Sequence, residues 1–185
     1  MSSELVEITY KEGSLIIENL PKSLQHLQIV YDERLNKHIA LAAYYMELIL
    51  ELTKHNIAYT DKARKYNKIT LGLKEKITPR KHQQEALNAW SLAQQRGFVS
   101  LPTGSGKTIL AIMAMAQAKR STLIVVPTID LMNQWHDVLS KYFSTPIGRL
   151  GGGLKDYQEI LVSTYDSARM IVEHKGSEFG FLIVD

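Results

Sequence analysis

Apolar residues recur with two different spacings along the first third of the chain. The stretch LVEITYKEGSLIIE, within residues 4 to 18, alternates on both sides of Gly13, which predicts a β-hairpin. LQIV at 27 to 30 and IAYT at 57 to 60 predict two further strands. Between them, residues 32 to 56 have helical spacing and predict one long amphipathic helix, through Leu35, Ile39, Ala42, Ala43, Met46, Ile49, Leu50 and Thr53.

After residue 77 the pattern changes to alternating helices and strands, which is typical of a parallel sheet covered by helices. The first helix lies in PRKHQQEALNAWSLAQQRG, with Thr78 as the predicted N-cap, Pro79 in the first turn and Gly97 as the stop. The strand FVSL at 98 to 101 follows. Next come a glycine loop, helix KTILAIMAMAQAK, strand TLIVVP, helix DLMNQWHDVLSKYF, strand EILVS, helix DSARMIVEH and strand FLIVD.

Composition is that of a folded protein with one to two domains, since the chain has 185 residues, 45% hydrophobic and 22% charged. We predict a small α+β domain at 1–61, a basic connector at 62–76 and an α/β domain at 77–185. Glu47 and Glu51 interrupt the longest apolar stretch, and the N-terminus lacks the order of a signal peptide. We therefore expect a cytoplasmic protein without a membrane segment. It has no cysteine, which excludes disulfides and thiolate metal sites.

Positive charge is concentrated between residues 62 and 81, in a chain of net charge +3 and pI near 9.0. Glu75 is the one acid in that stretch. Two interpretations stay open: a solvated connector, or a surface that contacts the phosphate backbone of DNA. The basic residues are Lys62, Arg64, Lys65, Lys68, Lys74, Lys76, Arg80 and Lys81.

The segment LPTGSGKT, residues 101 to 108, lies between a predicted strand and a predicted helix, as a phosphate-binding P-loop requires. Glycines let backbone N–H groups turn toward a polyphosphate at the positive end of the helix dipole. Lys107 would reach the β and γ phosphates and the Thr108 hydroxyl would bind Mg²⁺. Leu101 replaces the usual first glycine, so a fortuitous turn is the alternative. The predicted nucleotide contacts in the loop are Thr103, Gly104, Ser105, Gly106, Lys107 and Thr108.

The strand FLIVD carries an acid, Asp185, at its end. In P-loop proteins such an acid holds the Mg²⁺ shell, and the alternative is a solvated carboxylate. We predict Lys107 and Asp185 as catalytic residues, and Thr108 and Asp185 as the metal site. NKIT at 67 to 70 precedes the loop and lacks the Asp of a guanine-reading motif, which argues against GTP.

Five segments in this order resemble the first motor domain of a superfamily 2 helicase, in particular the xeroderma pigmentosum group B (XPB) DNA repair helicases of archaeal type. They are PRKHQQEAL, LPTGSGKT, VVPTIDLMNQW, LVSTYDSA and FLIVD. The preceding YDERLNKHIALAAYYMELILELTKHNIAYTD resembles the damage-recognition domain of that family. The resemblance implies an α/β, RecA-like P-loop domain after a small α+β domain, with ATP and Mg²⁺ as cofactors. It also implies sequence-independent binding of single-stranded or forked DNA, and a repair nuclease or transcription and repair factor as a further partner.

The resemblance also assigns residues to roles. Gln83 would read the adenine edge, for which a primary amide has a suitable donor and acceptor. Arg80 would lie against the base or be an ordinary exposed arginine. Trp135 is either a core residue or a contact with the DNA backbone. The predicted contacts with the DNA backbone, which position a strand without reading its sequence, are Pro127, Thr128, Gln134 and Thr164.

In this family a Glu follows the Asp, and a second RecA-like domain supplies arginines to the phosphates. We therefore expect the N-terminal half of an ATP-dependent DNA helicase or translocase, acting in DNA repair or transcription-coupled DNA opening, that binds ATP but hydrolyses little. A DNA- or partner-binding module, and a remodelling or restriction-type ATPase, remain the alternatives. The histidines show no metal-ligand spacing and are predicted to be structural: His26, His38, His55, His82, His136 and His174.

Overall fold

The computed structural model describes residues 5–24 and 27–185. Glu4, in the range of the predicted hairpin, and His26, predicted to be structural, lie outside the described residues. The chain forms two compact units. The first consists of the residues up to Lys65 together with Arg169–Glu178, and the second of Tyr66–Ala168 and Phe179–Asp185. The mixed α/β class is as predicted, whereas the functional boundaries at 61/62 and 76/77 stay predictions.

A five-stranded sheet forms the first unit, with strand order β3-β4-β2-β1-β5. Its strands are β1 (Val6–Lys11), β2 (Ser14–Glu18), β3 (Val30–Asp32), β4 (Lys37–Leu41) and β5 (Tyr59–Asp61), and helix α1 is Tyr45–Lys54. The predicted hairpin is present: Lys11 pairs with Ser14, and Glu12 and Gly13 have φ of 49° and 78° between them. Two residues with positive φ make the type I′ turn that suits two-residue hairpins.

The prediction of a single helix from 32 to 56 was wrong, because its first half is a second hairpin. Asp32 Oδ1 accepts hydrogen bonds from the backbone N of Arg34 and Leu35, at 2.8 and 3.2 Å, and Asn36 turns the chain with φ of 52°. Strand β4 then pairs with both β2 and β3. Ladder pairing on two sides outweighs the helix propensity of this segment. The strand predicted at 27–30 was also misplaced, since β3 begins at Val30.

The core of the first unit lies between α1 and the alternating side chains of β1 and β2. Ile8, Ile17 and Leu52 are fully buried, at 0% exposure. The predicted buried face of the helix was offset, because Leu50 is 61% exposed whereas Leu48 is 1% exposed. In so short a helix, the sheet determines which face is buried. Each fully buried Leu or Ile side chain contributes about 1.5–3 kcal/mol to the free energy of folding.

Residues 169–178 belong to this first unit through hydrogen bonds to its early strands. The Tyr10 hydroxyl donates to the carbonyl oxygen of Val172 and, at 3.3 Å, to that of Glu173. The Lys65 backbone N donates to Ser177 O at 3.0 Å. A segment distant in sequence therefore completes the unit.

The second unit is built on a sheet with strand order β10-β6-β9-β7-β8. Its strands are β6 (Thr122–Val126), β7 (Ile147–Gly151), β8 (Leu154–Asp156), β9 (Ile160–Thr164) and β10 (Phe181–Val184). All neighbours are parallel except β7 and β8. The helices are α2 (Lys81–Leu92), α3 (Lys107–Ala118), α4 (Ile129–Tyr142) and α5 (Tyr165–Lys175), of which the part from Arg169 onward belongs to the first unit.

Several local predictions in this unit were wrong. FVSL at 98–101 forms no strand, and Phe98 is 94% exposed there. Helix α2 begins after Arg80, not Thr78, because the Gln83 side chain accepts from the Arg80 backbone N. It ends at Leu92, before Gly97, where Gln94 and Gln95 adopt φ of 56° and 62°. The β7/β8 hairpin across Gly151–Gly153 was not predicted.

The helices described in residues 5–24 and 27–185 include none that is both long and apolar enough to cross a membrane.

Candidate nucleotide-binding site

The loop between residues 101 and 108 presents backbone donors at the start of α3. Gly104 and Gly106 have φ of 78° and 88°, and Gly106 is the N-cap of the 12-residue helix. Within the described residues, no hydrogen bond uses the backbone N–H of Gly104, Gly106, Lys107 or Thr108. Several free donors at the positive end of a helix dipole form a cradle for an anion. The loop therefore fits a polyphosphate.

Helix α2 braces this loop from behind. Gln83 is 3% exposed, and its Nε2 donates to the carbonyl oxygens of Gly106 at 3.1 Å and Ser105 at 3.4 Å. Its Oε1 accepts from the Arg80 backbone N at 2.9 Å. The His82 ring Nε2 lies 3.1 Å from Ser105 O. In this geometry the amide of Gln83 is committed to the loop, and its predicted contact with adenine stays a prediction.

Lys107 lies exposed at the first turn of α3, and its Nζ donates to the Leu101 carbonyl oxygen at 3.2 Å. The ammonium group thus reaches from the helix end of the loop to its beginning, across the donors described above. Ser105 Oγ donates to Pro102 O at 2.6 Å, which tightens the loop. Thr103 is exposed, and Thr108 is half-buried in the first helical turn.

Asp185 follows β10 and is held at three points. Its backbone N donates to Val125 O at 3.0 Å, and its backbone O accepts from the Tyr165 hydroxyl at 3.1 Å. Its side-chain Oδ2 accepts from Trp135 Nε1 at 2.8 Å. The residue itself is exposed, and no described residue bonds to Oδ1. The carboxylate is therefore anchored through one oxygen and open through the other.

Parallel pairing brings further predicted residues to the same edge of the sheet. Val126 pairs with Thr164, and Val184 pairs with Val125, so the carboxyl ends of β6, β9 and β10 lie side by side. Thr128 caps α4 through its Oγ1, which accepts from Leu131 N at 3.2 Å, and Thr164 Oγ1 donates to Ser167 Oγ at 3.2 Å.

The remaining predicted contacts are placed as follows. Pro127 is exposed directly after β6, and Arg80 is exposed at the start of α2. Gln134 is exposed on α4, about 9 Å along the helix axis from Thr128, since each residue rises about 1.5 Å.

The chemistry of the donors fits Mg²⁺ in the presence of nucleotide. Magnesium takes oxygen ligands, usually one or two from the protein with the rest from phosphates and water. The open Oδ1 of Asp185 and the Thr108 hydroxyl are oxygens of this kind. No cluster of three or more His, Cys, Asp or Glu residues in the described part of the chain forms a metal cage. The site thus fits a metal that arrives with a phosphate ligand.

Three contacts at this site were not predicted from the sequence. His82 was assigned a structural role but contacts the loop, Trp135 was weighed only as core or contact, and Tyr165 was not considered. The positions of His82 and Tyr165, each beside a motif residue, were the available signal. That the Trp135 indole donates to Asp185 could not be predicted without knowing the register of the strands.

A mostly parallel sheet, a glycine loop opening a helix and an acid at the carboxyl end of a strand are typical of the P-loop class of RecA-like domains, and the strand predicted to lead into the loop is the part that does not form. A family model described as type III restriction enzyme, res subunit, matches residues 76–185, and one described as xeroderma pigmentosum group B helicase damage recognition domain matches residues 8–63. Because the first match covers more than half of the chain, the chain belongs to that family, and residues 8–63 are similar to the damage recognition domain of XPB helicases.

Known proteins agree with this placement. Over 113 residues the chain is 46% identical to the DNA 3'-5' translocase XPB2 of Sulfurisphaera tokodaii, covering 61% of this chain and 26% of that protein. Over 90 residues it is 38% identical to the DNA 3'-5' helicase XPB of Kineococcus radiotolerans, covering 46% and 16%. The chain therefore spans about a quarter or less of these relatives.

A solved structure gives the same fold. The UvsW helicase from bacteriophage T4 superposes with a TM-score of 0.51 at 16% identity, covering 98% of this chain and 82% of that one.

Proposed function

We propose that this chain binds ATP with Mg²⁺ and forms part of the motor of an ATP-dependent DNA helicase or translocase. The observation that carries the proposal is the loop at 101–108, whose backbone donors, helix N-terminus and Lys107 converge while α2 braces it through Gln83. The backbone N–H groups and Lys107 would hold the phosphates. Mg²⁺, held through Thr108 and Asp185, would neutralise charge that develops on the phosphates.

Hydrolysis needs a base for the attacking water and cations at the transferred phosphate. In the described residues, the hydrogen bonds of the loop and of the end of β10 bring one cation, Lys107, and one carboxylate, Asp185, which is assigned to the metal. We therefore propose that the 185-residue chain by itself binds nucleotide with slow turnover. Turnover, unwinding and the 3'-5' direction would belong to the longer proteins that contain such a domain.

DNA would run across the carboxyl edge of the sheet, where Thr164 ends β9 and Thr128, two residues after β6, caps α4. Hydroxyl groups and helix N-termini contact phosphates without reading sequence, which suits a motor that moves along DNA. The match of residues 8–63 to a damage-recognition domain supports a role in DNA repair or transcription-coupled opening. A repair nuclease or a transcription and repair factor is the kind of protein partner that this role implies.

The test is ATP binding by the chain and by Lys107→Ala, measured by anisotropy of a fluorescent ATP analogue with Mg²⁺. Lys107 is exposed and makes one hydrogen bond, so the variant should keep its melting temperature while its nucleotide affinity falls at least tenfold. Lys119→Ala, an exposed lysine at the far end of the same helix, is the control. Equal affinity in wild type and Lys107→Ala would refute the proposal.

A further inference from the structure

The indole of Trp135 connects the buried core to the open carboxylate of Asp185. Trp135 is 4% exposed and packs in the core cluster that includes Val126, Met132 and Leu139. Its single donor, Nε1–H, points to Asp185 Oδ2 at 2.8 Å. An indole N–H can only donate, so a buried tryptophan depends on one acceptor. The ring is fixed by packing and the hydrogen bond fixes the oxygen.

This contact removes the remaining freedom of Asp185. Its backbone is already held on both sides, by Val125 O and by the Tyr165 hydroxyl. Rotation of the side chain about χ1 and χ2 is the freedom that these backbone bonds leave. The bond to Trp135 restricts that rotation and leaves Oδ1 as the oxygen available to a ligand.

We propose that Trp135 is a positioning residue for Mg²⁺: its indole holds Oδ2 of Asp185 so that Oδ1 is presented to the metal of a bound Mg–nucleotide. The inference rests on the proposed function. Groups that orient a metal-binding carboxylate from behind typically change metal affinity by about 10- to 100-fold when removed.

Trp135→Phe is the informative variant, because phenylalanine keeps an aromatic ring in the core and lacks the N–H. The readout is the anisotropy of a fluorescent ATP analogue titrated with Mg²⁺, which gives the Mg²⁺ concentration at the midpoint of tightening. A second titration in EDTA gives the metal-free affinity. We expect the midpoint to rise about tenfold in Trp135→Phe, with the metal-free affinity unchanged within about twofold.

Trp90→Phe is the matched control. Trp90 packs on Phe181 of the same strand β10, with ring centroids 5.4 Å apart, and has no hydrogen bond to Asp185. It should leave the Mg²⁺ midpoint at the wild-type value. A structural role for either tryptophan would shift melting temperature and metal-free affinity, but not the midpoint alone.

The outcomes separate the inference from the proposed function. A wild-type midpoint in Trp135→Phe, beside a raised midpoint in Asp185→Ala, would overturn the role of Trp135 and keep the nucleotide site. If Lys107→Ala leaves the nucleotide affinity unchanged, or if Mg²⁺ does not change the nucleotide affinity of wild type, both the role of Trp135 and the proposed function would be overturned.

A second measurement covers the case that Trp135→Phe does not fold. The indole ¹H–¹⁵N resonance of Trp135, assigned with Trp90→Phe, should shift upfield and exchange faster with solvent in Asp185→Ala, because its acceptor is gone. An unchanged resonance would refute the hydrogen bond.

Discussion

Gln83 Nε2 donates to the carbonyl oxygen of Gly106 at 3.1 Å, and a Cβ added to Gly106 would lie 2.6 Å from that same nitrogen. The two residues therefore constrain each other: the glycine admits the amide, and the amide fixes the carbonyl that begins α3. Gly106 also has φ of 88°, a conformation that L side chains rarely adopt. This contact is one of those by which α2 holds the loop, beside the contacts of Gln83 and His82 with Ser105 O.

Gly106→Ala should lower the free energy of unfolding by about 2–5 kcal/mol, because the positive φ costs about 1–2 kcal/mol and the displaced, buried Gln83 amide adds about 1–3 kcal/mol. Nucleotide binding should be lost with the loop geometry. Urea denaturation followed by circular dichroism gives the first quantity, and analogue anisotropy the second.

Gly104→Ala is the control for this prediction. Gly104 has φ of 78°, yet a Cβ there meets nothing within 4 Å. Only the backbone strain applies, so the loss of stability should be about 1–2 kcal/mol. Equal losses in the two variants would show that the contact with Gln83 contributes nothing.

Tyr10→Phe should destabilise the first unit by about 1 kcal/mol at neutral pH, because the hydroxyl donates to the carbonyl oxygens of Val172 and Glu173. The measurement is urea denaturation at pH 7. Thr9→Ser on the same strand is the control, because it keeps the hydroxyl that donates to Ile16 O. No loss in Tyr10→Phe would mean that residues 169–178 are held by other contacts.

The pH dependence follows from the same hydroxyl. Burial raises the pKa of Tyr10 above 10.0, and the charge of Glu173 raises it further, while backbone hydrogen bonds with Gly13 and Gly176 partly oppose them. A folded-state pKa above the unfolded value gives stability that is full below pH 10.0 and is lost as pH rises through the folded pKa. Wild type should therefore lose more stability than Tyr10→Phe as the pH rises above 10.0. Parallel curves would contradict this account.

Replacing Lys68, Lys76 and Lys81 with Gln should weaken DNA binding and flatten its salt dependence. All three are exposed, and no carboxylate among the described residues pairs with them. If each contacts a phosphate of single-stranded DNA, the magnitude of the slope of log K against log salt should fall by about 0.7 per lysine. Fluorescence anisotropy with labelled single-stranded DNA at several salt concentrations measures the slope.

A control variant with the same change of net charge separates direct phosphate contacts from the general electrostatic attraction between protein and DNA. Lys62 pairs with Glu7 at 2.7 Å, Arg64 with Asp61 at 3.9 Å, and Lys74 donates to Ser140 O at 2.8 Å. Replacing these three with Gln should change the slope less. If the first triple variant keeps the wild-type slope, the stretch is a solvated connector.

Sequence patterns predicted the elements whose signal was both long and consistent. Helix α4 and strand β6 appeared close to their observed bounds because α4 has helical periodicity and all five residues of β6 are buried. The segment at 32–56 failed because Ile39 and Ala40 fit a helical spacing as well as a strand, and only pairing with β2 decides between them. The β7/β8 hairpin was not predicted because Gly151 and the neighbouring glycines have no side chains and so give no alternation of apolar and polar positions.

At the candidate site, the sequence predicted residue types and not their geometry. The glycine loop and Asp185 were recognised because each is a local motif beside a regular element. The contacts of Gln83 with Gly106 and of Trp135 with Asp185 span 23 and 50 residues, so no local pattern contains them. Nothing in the composition of 98–101 distinguishes it from a strand, and only its lack of a ladder does.

The first unit is assembled from two stretches of chain, with residues 66–168 between them. On a ribosome the strands β1 to β5 emerge early, but Arg169–Glu178 emerges only after that whole intervening stretch has been translated. At roughly 5 to 20 residues per second, the early strands wait roughly 5 to 20 seconds for the segment that receives the Tyr10 hydroxyl. The first unit is therefore completed only after residues 66–168 of the second unit have been translated.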